Sequence, residues 1–332
     1  MNHNRFAKAL ILSILMAIPI APPAASADVL KLAELNTEQV RALDRDKTIV
    51  LIPGGILEQH GPYLPSFTDG YRNEWATEAL ARAVVSRPGW AALLLPTIPL
   101  GVGGANQLGG HFSFPGTYSV RSTTLRAVFV DLANDLGEQG FKWIFVVHLH
   151  GAPGHSLALD EAGDYFRDTY GGRMVHLYGL MPTFGAGSAP PLEPEEAAES
   201  GLDVHAGRTE TSAILHLRPD LVASGYRSAP SLPGGNWDEL VRIATTPGWP
   251  GYFGAPRQAS AAEGRERTQE RAKVAADLMW SIVEGADERE MPHWSTMILQ
   301  SNAIREVYRA ATAHERAREE RFAAWLAERE KP

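Results

Sequence analysis

The sequence predicts a three-layer α/β fold, in which a mostly parallel sheet carries helices on both faces. Short runs that are apolar throughout alternate along the chain with segments of helical periodicity. Strands that are apolar on both faces are typical of parallel sheets covered on both sides. The chain has 332 residues, of which 44% are hydrophobic and 21% are charged, so it is long enough to bury a sizeable core.

Three apolar runs are the strand candidates, and helical segments separate them. We expect strands over residues 48–53, 91–100 and 142–149. The apolar spacing predicts helices over residues 69–87, 123–139 and 259–284. Residues 182–202, which are rich in Pro, Ala, Gly and Glu, indicate a surface loop or lid, and residues 229–257 indicate an ordered but irregular segment.

The N-terminus is typical of an export signal, because a basic start precedes an apolar run and a small-residue cleavage site. Arg5 and Lys8 supply the charge, residues 9–20 form the run, and residues 25–27 (Ala-Ser-Ala) form the site. The run is short for a membrane span, although an uncleaved anchor is the alternative. We therefore expect an exported protein, periplasmic or secreted, whose mature chain begins at Asp28.

The chain divides most simply into a signal peptide over residues 1–27, one α/β domain over 28–285 and a helical extension over 286–332. The last part of the extension is highly charged. Its helical pattern carries an apolar stripe that consists of Ile304, Val307, Ala311, Phe322, Trp325 and Leu326. This stripe is either an interface between subunits or a surface that packs on its own domain.

Charge and cysteine content limit the function. A net charge of −8 argues against nucleic acid or an anionic membrane as a partner, because both require a basic face. The chain has no cysteine, which excludes disulfides and thiolate metal sites. Any metal must therefore be bound by histidine and carboxylate side chains.

The first polar motif follows the apolar run 48–53 and contains Glu58, His60 and Asp69. Glu58 and His60 are two residues apart, so both side chains point into one cleft if the backbone stays extended. Asp69 opens a predicted helix, where the helix dipole favours a carboxylate that could also reach a metal. The alternative is that Asp69 is only a helix cap and His60 only a loop residue.

Two further motifs carry histidines. His148, His150 and His155 follow the run 142–149, and His148 and His150 share a face if the strand continues. Because a buried strand has little reason to end in histidines, this motif predicts a metal or catalytic role. His111 lies in a glycine-bounded loop.

The last motif places His205, Arg208 and Glu210 just before a short apolar helix. His205 is a candidate general acid or base, and Glu210 is the second candidate catalytic residue. The alternative is a helix-capping cluster in which a neighbouring threonine or serine is the cap.

These motifs resemble, in the same order, the signatures of the creatininase family, and the resemblance covers roughly residues 40–265. The first match is Glu58-Gln59-His60-Gly61-Pro62, followed by Asp69. The second is His111 with Phe114-Pro115-Gly116-Thr117. The third is His150-Gly151, where the family has Asn-Gly-His-Gly-Gly-Asn. The last is His205-Ala206-Gly207 with Glu210-Thr211-Ser212, which is similar to the family's His-Ala-Gly-Glu-x-Glu-Thr-Ser.

The resemblance implies a two-metal amidohydrolase on a parallel-sheet α/β fold. By position, Glu58 and His150 would bind one metal and His60 the other, with Asp69 bridging both. It also implies that His205 is the acid or base near the scissile bond, and that the chain forms a homo-oligomer, as a hexamer. Zn²⁺, Mn²⁺ or Fe²⁺ would suit these ligands, with one or two ions per chain.

Three departures from the family pattern concern the second metal. His148 stands where the family has Asn, Ala152 stands where creatininase has a Glu, and Arg208 stands where many relatives have a Glu. The second metal therefore lacks its expected carboxylate. Glu210, His148 and His155 are the candidate replacements, unless the site holds a single metal.

Arg208 is the sharpest departure, because a guanidinium is always charged and does not bind a cation. We expect either a single-metal site, or a metal pair completed from outside the motif, with Arg208 holding an anionic group of an acidic substrate. A surface salt bridge is the alternative. His111 and His148 are the other candidate substrate-binding residues.

The predicted function is metal-dependent hydrolysis of a non-peptide C–N bond in a small molecule, of the cyclic amide or formamide type. We expect a substrate other than creatinine. One alternative is a non-catalytic or single-metal binding protein on the same fold. Another is a metal-dependent hydrolase of lactones or esters.

We predict that the native protein begins at Asp28 and lies outside the cytoplasm, because the Ala-Ser-Ala site ends a basic and then apolar segment. N-terminal sequencing of protein taken from its own cells measures this directly. Recovery of a chain that still begins at Met1 or Asn2 would contradict the predicted cleavage.

Overall fold

The computed structural model describes residues 29–184 and 192–329, so the predicted signal peptide lies outside the described residues. The strands are β1 (Val29–Lys31), β2 (Thr48–Pro53), β3 (Ala91–Leu94), β4 (Trp143–Val147) and β5 (Arg173–His176). They form one sheet in the order β1-β3-β2-β4-β5, and every neighbouring pair is parallel. The predicted parallel sheet is therefore confirmed.

Eleven α-helices are found in the described residues. The first six are α1 (Thr37–Arg41), α2 (Thr68–Val85), α3 (Ser122–Glu138), α4 (Pro153–Tyr170), α5 (Met181–Phe184) and α6 (Pro194–Ser200). The remaining five are α7 (Arg208–Leu217), α8 (Trp237–Thr245), α9 (Ala261–Val283), α10 (Trp294–Ile298) and α11 (Asn302–Arg329). Among residues 29–184 and 192–329, no helix combines the length and apolar character that a membrane crossing requires.

The two faces of the sheet are covered by different helices. Ile49 and Leu51 of β2 point into a core shared with α2 and α9. Val50 and Ile52, on the alternate positions, point into a core shared with α3 and α4. All four side chains are fully buried, and burying one of this size contributes roughly 1.5–3 kcal/mol. A strand that is apolar on both faces thus produces the three layers that the sequence predicts.

The three predicted strands are present, and two of them are shorter than expected. Residues 48–53 are β2 as expected. The run 91–100 is a strand only to Leu94, because Pro96 and Pro99 have no N–H to donate to a ladder. The strand in the run 142–149 ends at Val147, so the histidines that follow it lie in a loop.

The apolar pattern does not reveal α4 or β5. The strand β5 has only four residues, and α4 begins inside the histidine motif, with Pro153 in its first turn. The segment 182–202, predicted as a loop, contains α6, while residues 185–191 lie outside the described residues. The segment 229–257 contains α8.

The extension folds back onto the domain at its start and leaves its end exposed. Ile304 and Ala311 of α11 are buried, whereas Phe322, Trp325 and Leu326 are exposed. The apolar stripe therefore divides into a packed half and a solvent-facing half.

Candidate metal centre

Acidic and histidine side chains converge beyond the carboxyl ends of β2 and β4. The loop after β2 carries two of them, the first turn of α2 one, the loop after β4 one, and the start of α7 the last two. In chain order they are Glu58, His60, Asp69, His150, His205 and Glu210. The four predicted metal ligands and the two predicted catalytic residues therefore lie together.

One group of ligand atoms in this cluster belongs to Glu58, Asp69 and His150. The Nδ1 atom of His150 lies 3.1 Å from Oε2 of Glu58 and 3.1 Å from Oδ2 of Asp69. All three side chains are buried. One oxygen of each carboxylate and one imidazole nitrogen thus face a common point, as a metal site requires.

A second group consists of His60, Asp69 and Glu210. The Nε2 atom of His60 lies 3.8 Å from Oδ1 of Asp69 and 3.5 Å from Oε2 of Glu210. Because the first group uses Oδ2 of Asp69 and the second uses Oδ1, one carboxylate is shared between two possible ion positions. Glu210 thus lies where it could replace the carboxylate that relatives have and this chain lacks at positions 152 and 208.

Backbone carbonyl groups orient all three imidazoles. His60 donates from Nδ1 to the carbonyl of Glu58 over 2.9 Å, and His150 donates from Nε2 to that of Val102 over 3.0 Å. His205 donates from Nε2 to the carbonyl of Gln59 over 2.7 Å. In each ring the other nitrogen then faces the carboxylates, which is how metal-binding histidines are commonly held.

Backbone N–H groups hold one oxygen of each of two carboxylates. Ala105 donates to Oε1 of Glu58 over 2.6 Å, and Ala206 donates to Oε2 of Glu210 over 2.7 Å. Ala206 has a φ of 50°, the only positive value at a non-glycine position among the described residues. This unfavourable conformation turns its N–H toward Glu210 while keeping His205 at the cluster.

Glu58 and Asp69 stay ionised despite their burial. Burial would raise the pKa of Glu58, but the charges of His205 and His150 lower it to about 2. Burial would likewise raise the pKa of Asp69, and hydrogen bonding to His150 and His60 holds it well below the usual range. The cluster therefore presents two negative charges in a buried place, which favours a cation.

The pKa values of the three imidazoles in the cluster are shifted in different directions. Burial lowers the pKa of His60, but Asp69 and Glu210 raise it to about 9. The pKa of His150 also lies well above its ordinary value, because neighbouring carboxylates outweigh burial. At His205, burial prevails and lowers the pKa, so this ring is neutral near pH 7. Its Nδ1 atom, which faces the cluster, is then free of a proton.

Arginines that the sequence motifs do not reveal lie beside the cluster. Nη1 of Arg72 is 2.5 Å from Oε1 of Glu210, and Arg267 pairs with Glu263 at 2.9 Å. Burial, followed by the like charge of Arg72, lowers the pKa of Arg271 to about 10. All three guanidinium groups line the cavity above the cluster. The helical spacing of α9 predicts a core-facing helix but does not show which polar residues meet the site.

The structure contradicts the predicted role of Arg208. Its Nε atom donates to Oε2 of Glu263 over 2.8 Å, and its Nη1 atom lies 3.8 Å from Oε2 of Glu196. Arg208 begins α7, and two helical positions turn a side chain by about 200°, so Arg208 and Glu210 point to opposite sides. The hypothesis that Arg208 holds an anionic group of the substrate is therefore wrong.

His148 and His155 lie behind the cluster and do not line the cavity. The ring of His148 packs on Gly54 so closely that a Cβ atom at residue 54 would lie 1.3 Å from its Nε2 atom. The two rings are 4.7 Å apart, and burial lowers the pKa of both well below its ordinary value. The prediction that His148 binds substrate is wrong, and neither histidine replaces the missing carboxylate.

His111 does not line the cavity. Its side chain is exposed, near Phe114. Its backbone carbonyl accepts a hydrogen bond from the Asn106 amide, which shapes the loop. The predicted substrate-binding role of His111 therefore finds no support in the geometry of the cavity.

A cavity of about 360 Å³ opens above the cluster. Its lining includes the polar side chains Glu58, Asp69, His150, His205 and Glu210 of the cluster. It also includes an apolar wall, to which Phe184, Trp237, Trp294, Ile298, Ile304 and Val307 contribute. Such a cavity has room for a small molecule or for the end of a longer one.

A family model described as creatinine amidohydrolase matches residues 33–279. The chain belongs to the creatininase family. This is a family of hydrolytic, metal-dependent amidohydrolases. Within the creatininase family, the chain is similar to the mycofactocin precursor peptide peptidase of Mycobacterium ulcerans (strain Agy99). The two are 32% identical over 253 residues, which cover 70% of this chain and 85% of the peptidase.

Solved creatininase structures share the fold. A creatinine amidohydrolase (creatininase) has a TM-score of 0.57 and 20% identity, and the match covers 78% of this chain and 99% of that one. A structure named as a manganese creatininase has a TM-score of 0.56 and 20% identity, over 77% of this chain and 99% of that one. Both confirm the creatininase-like fold, and both matches leave part of this longer chain uncovered.

We predict that the metal-free protein becomes less stable as pH rises from about 6.5 to about 9. The folded-state pKa of His60 is about 9, above its ordinary value of 6.5, so the folded state binds more protons in this window. The free energy of unfolding should therefore fall through it, by on the order of 2–3 kcal/mol. Denaturant titrations of chelator-treated protein across the window measure this change.

The variant His60→Gln should reduce this pH dependence, and His150, whose pKa is also raised, should maintain the remainder. His216→Gln, which changes a histidine outside the cluster on α7, should leave it in place. If the free energy of unfolding changes with pH equally in the wild type and in His60→Gln, the buried imidazole of His60 does not gain a proton on folding.

Proposed function

We propose that this chain is a two-metal amidohydrolase. The observation that carries the proposal is the shared carboxylate of Asp69, which faces an imidazole and a second carboxylate on each side. The residues also fit a metal at the second position. Nε2 of His60 is buried without a hydrogen-bond partner among the described residues, although it points toward Asp69 and Glu210. A buried nitrogen with no partner is costly unless a ligand satisfies it.

In this proposal, Glu58, Asp69 and His150 hold one divalent cation, and His60, Asp69 and Glu210 hold the other. Oxygen and imidazole ligands of this kind suit Zn²⁺ or Mn²⁺, with Fe²⁺ as a further candidate. When bound, the cations would lower the pKa of a water molecule and polarise the carbonyl group of the substrate.

His205 is the proposed acid and base. It is neutral near pH 7, its Nε2–H is held by the carbonyl of Gln59, and its Nδ1 atom lies 3.6 Å from Oε1 of Glu58. The ring can therefore take up a proton at Nδ1 and give it to the departing nitrogen of the amide. Because His205 lines the cavity, a bound substrate would lie within its reach.

The substrate we propose is a small molecule with a non-peptide C–N bond, of the cyclic amide or formamide type. The cavity of about 360 Å³ is large enough for such a molecule and supports this class. A peptide bond near a chain end is the second candidate, because the relative that is 32% identical is a peptide peptidase.

The proposed ligand set predicts that Glu210→Gln lowers the metal content from two ions per chain to one. A neutral amide binds a divalent cation far more weakly than a carboxylate, and the first group of ligands is unchanged. Metal analysis of protein purified without chelator gives the count. Arg208→Ala, which removes a side chain that points away from the cluster, is the control and should keep two ions.

Retention of two ions in Glu210→Gln would show that another residue completes the second position. A wild-type protein that binds a single ion would favour the alternative of a single-metal binding protein. Metal counts therefore separate these hypotheses without an assay of activity.

A panel of probes tests the reaction. N-formylglycine, dihydrouracil, the dipeptide Gly-Gly and γ-butyrolactone present a formamide, a cyclic amide, a peptide bond and a lactone. We expect metal-loaded protein to cleave the first two, and His205→Ala to lower that rate by about 10²–10⁴-fold while keeping both ions. Cleavage of the dipeptide alone would establish the second candidate, and cleavage of the lactone alone would exclude both.

A further inference from the structure

Part of the apolar wall of the cavity comes from a part of the chain that the family match does not include. The match ends at residue 279, whereas Trp294 and Ile298 lie on α10 and Ile304 and Val307 on α11. All four residues line the cavity. The ligand cluster is therefore built by the family domain, and part of the apolar wall by the extension.

Two contacts fix Trp294 next to the ligand loop. Its Nε1–H donates to the carbonyl of Gly151 over 2.9 Å, and Gly151 directly follows His150. Its indole ring stacks on Phe184 with the ring centroids 3.9 Å apart and the planes 13° from parallel. The hydrogen bond to Gly151 thus links the position of the indole ring to that of the loop that carries His150.

The helices behind this wall are anchored to the domain. Ser295 donates from Oγ to Oδ2 of Asp160 over 2.7 Å. Glu315, on α11, accepts hydrogen bonds from both the N–H (2.9 Å) and the Oγ (2.6 Å) of Ser122, the first residue of α3. These anchors at α10 and α11 make the wall a fixed surface and not a loose tail.

The described part of the extension contributes only uncharged residues to the cavity, although much of its surface is charged. The helix α11 is highly charged, and Arg305, Glu306 and Arg309 are exposed around the two residues that reach the cavity. Only Ile304 and Val307 of this helix line the cavity, and no residue of α10 or α11 among the described lining residues is charged. An apolar surface that shares a cavity with a polar cluster fits an amphipathic ligand.

We propose that Trp294, Ile298, Ile304 and Val307 form an apolar subsite that binds a bulky aliphatic or aromatic side chain of the substrate. The inference rests on the proposed function, because the reacting amide of the same molecule lies at the ligand cluster. The extension then selects among amides by the size of the apolar group next to the scissile bond. Amides that carry only a hydrogen atom or a methyl group at this position leave the subsite empty, and we expect them to be poorer substrates than amides with a bulky group there.

Binding of two probes to the metal-free, full-length protein tests the subsite without any reaction. The probes are the formamides N-(2-phenylethyl)formamide and N-ethylformamide, which differ by a phenyl group, and saturation-transfer NMR titrations give the affinities. We expect the phenyl compound to bind about tenfold more tightly or better, with transfer concentrated on its ring protons. Equal affinities would overturn the subsite.

Variants locate the binding surface. Val307→Ser should weaken binding of N-(2-phenylethyl)formamide about threefold or more, and Trp294→Ala about tenfold. Val307→Leu keeps an apolar surface and should retain binding. Val128→Ser, the same change at a half-buried position of α3 that does not line the cavity, is the matched control and should bind like the wild type. Unchanged binding in a folded Val307→Ser and a folded Trp294→Ala would refute the assignment.

Kinetics complete the test on metal-loaded protein. We expect kcat/KM for N-formylphenylalanine to exceed that for N-formylglycine by about ten- to a hundredfold, and Val307→Ser to reduce this ratio with no loss of bound metal. Two bound ions and turnover of both compounds at equal kcat/KM would refute the subsite and leave the hydrolase standing. If the protein binds the phenyl compound more tightly but holds fewer than two ions and turns over neither formyl compound, the proposed hydrolase is refuted and the apolar subsite is supported.

Discussion

The candidate centre depends on one buried carboxylate that faces imidazoles on both sides. Oδ2 of Asp69 lies 3.1 Å from His150, and Oδ1 lies 3.8 Å from His60. Asp69 is the second residue of α2, so its position depends on where that helix begins after the loop from β2. The two histidines reach it from the ends of β2 and β4, which are neighbours in the sheet. Parallel pairing of these strands is therefore what brings the three side chains together.

Much of this centre could be predicted from short stretches of sequence. Glu58, His60 and Asp69 belong to one strand–loop–helix unit, and the hydrophobic pattern is enough to show where the strand and helix lie. His150 follows a second strand with an equally clear pattern. Since parallel strands end at the same edge of a sheet, their neighbourhood follows from the fold class.

The rest depends on helix phase and on distant packing, which local patterns do not determine. Glu210 and Arg208 are two residues apart, yet only Glu210 faces the cluster, because α7 begins at Arg208 and includes residues that the sequence places before the helix. Arg271 reaches the cavity from a helix some 60 residues further along the chain. Trp294 meets the ligand loop only because Ser295 and Glu315 anchor the extension. A pattern of apolar residues predicts that a helix packs, but not which neighbour it packs on.

The contact between Gly54 and His148 restricts which residues each of the two positions can hold. A Cβ atom at residue 54 would lie 1.3 Å from the imidazole, so the backbone of the β2 end and this ring occupy complementary volumes. A larger residue at position 54 is compatible with the fold only if the side chain at position 148 is smaller. The fully buried imidazole of His148 is thus accommodated by a glycine almost a hundred residues earlier in the chain.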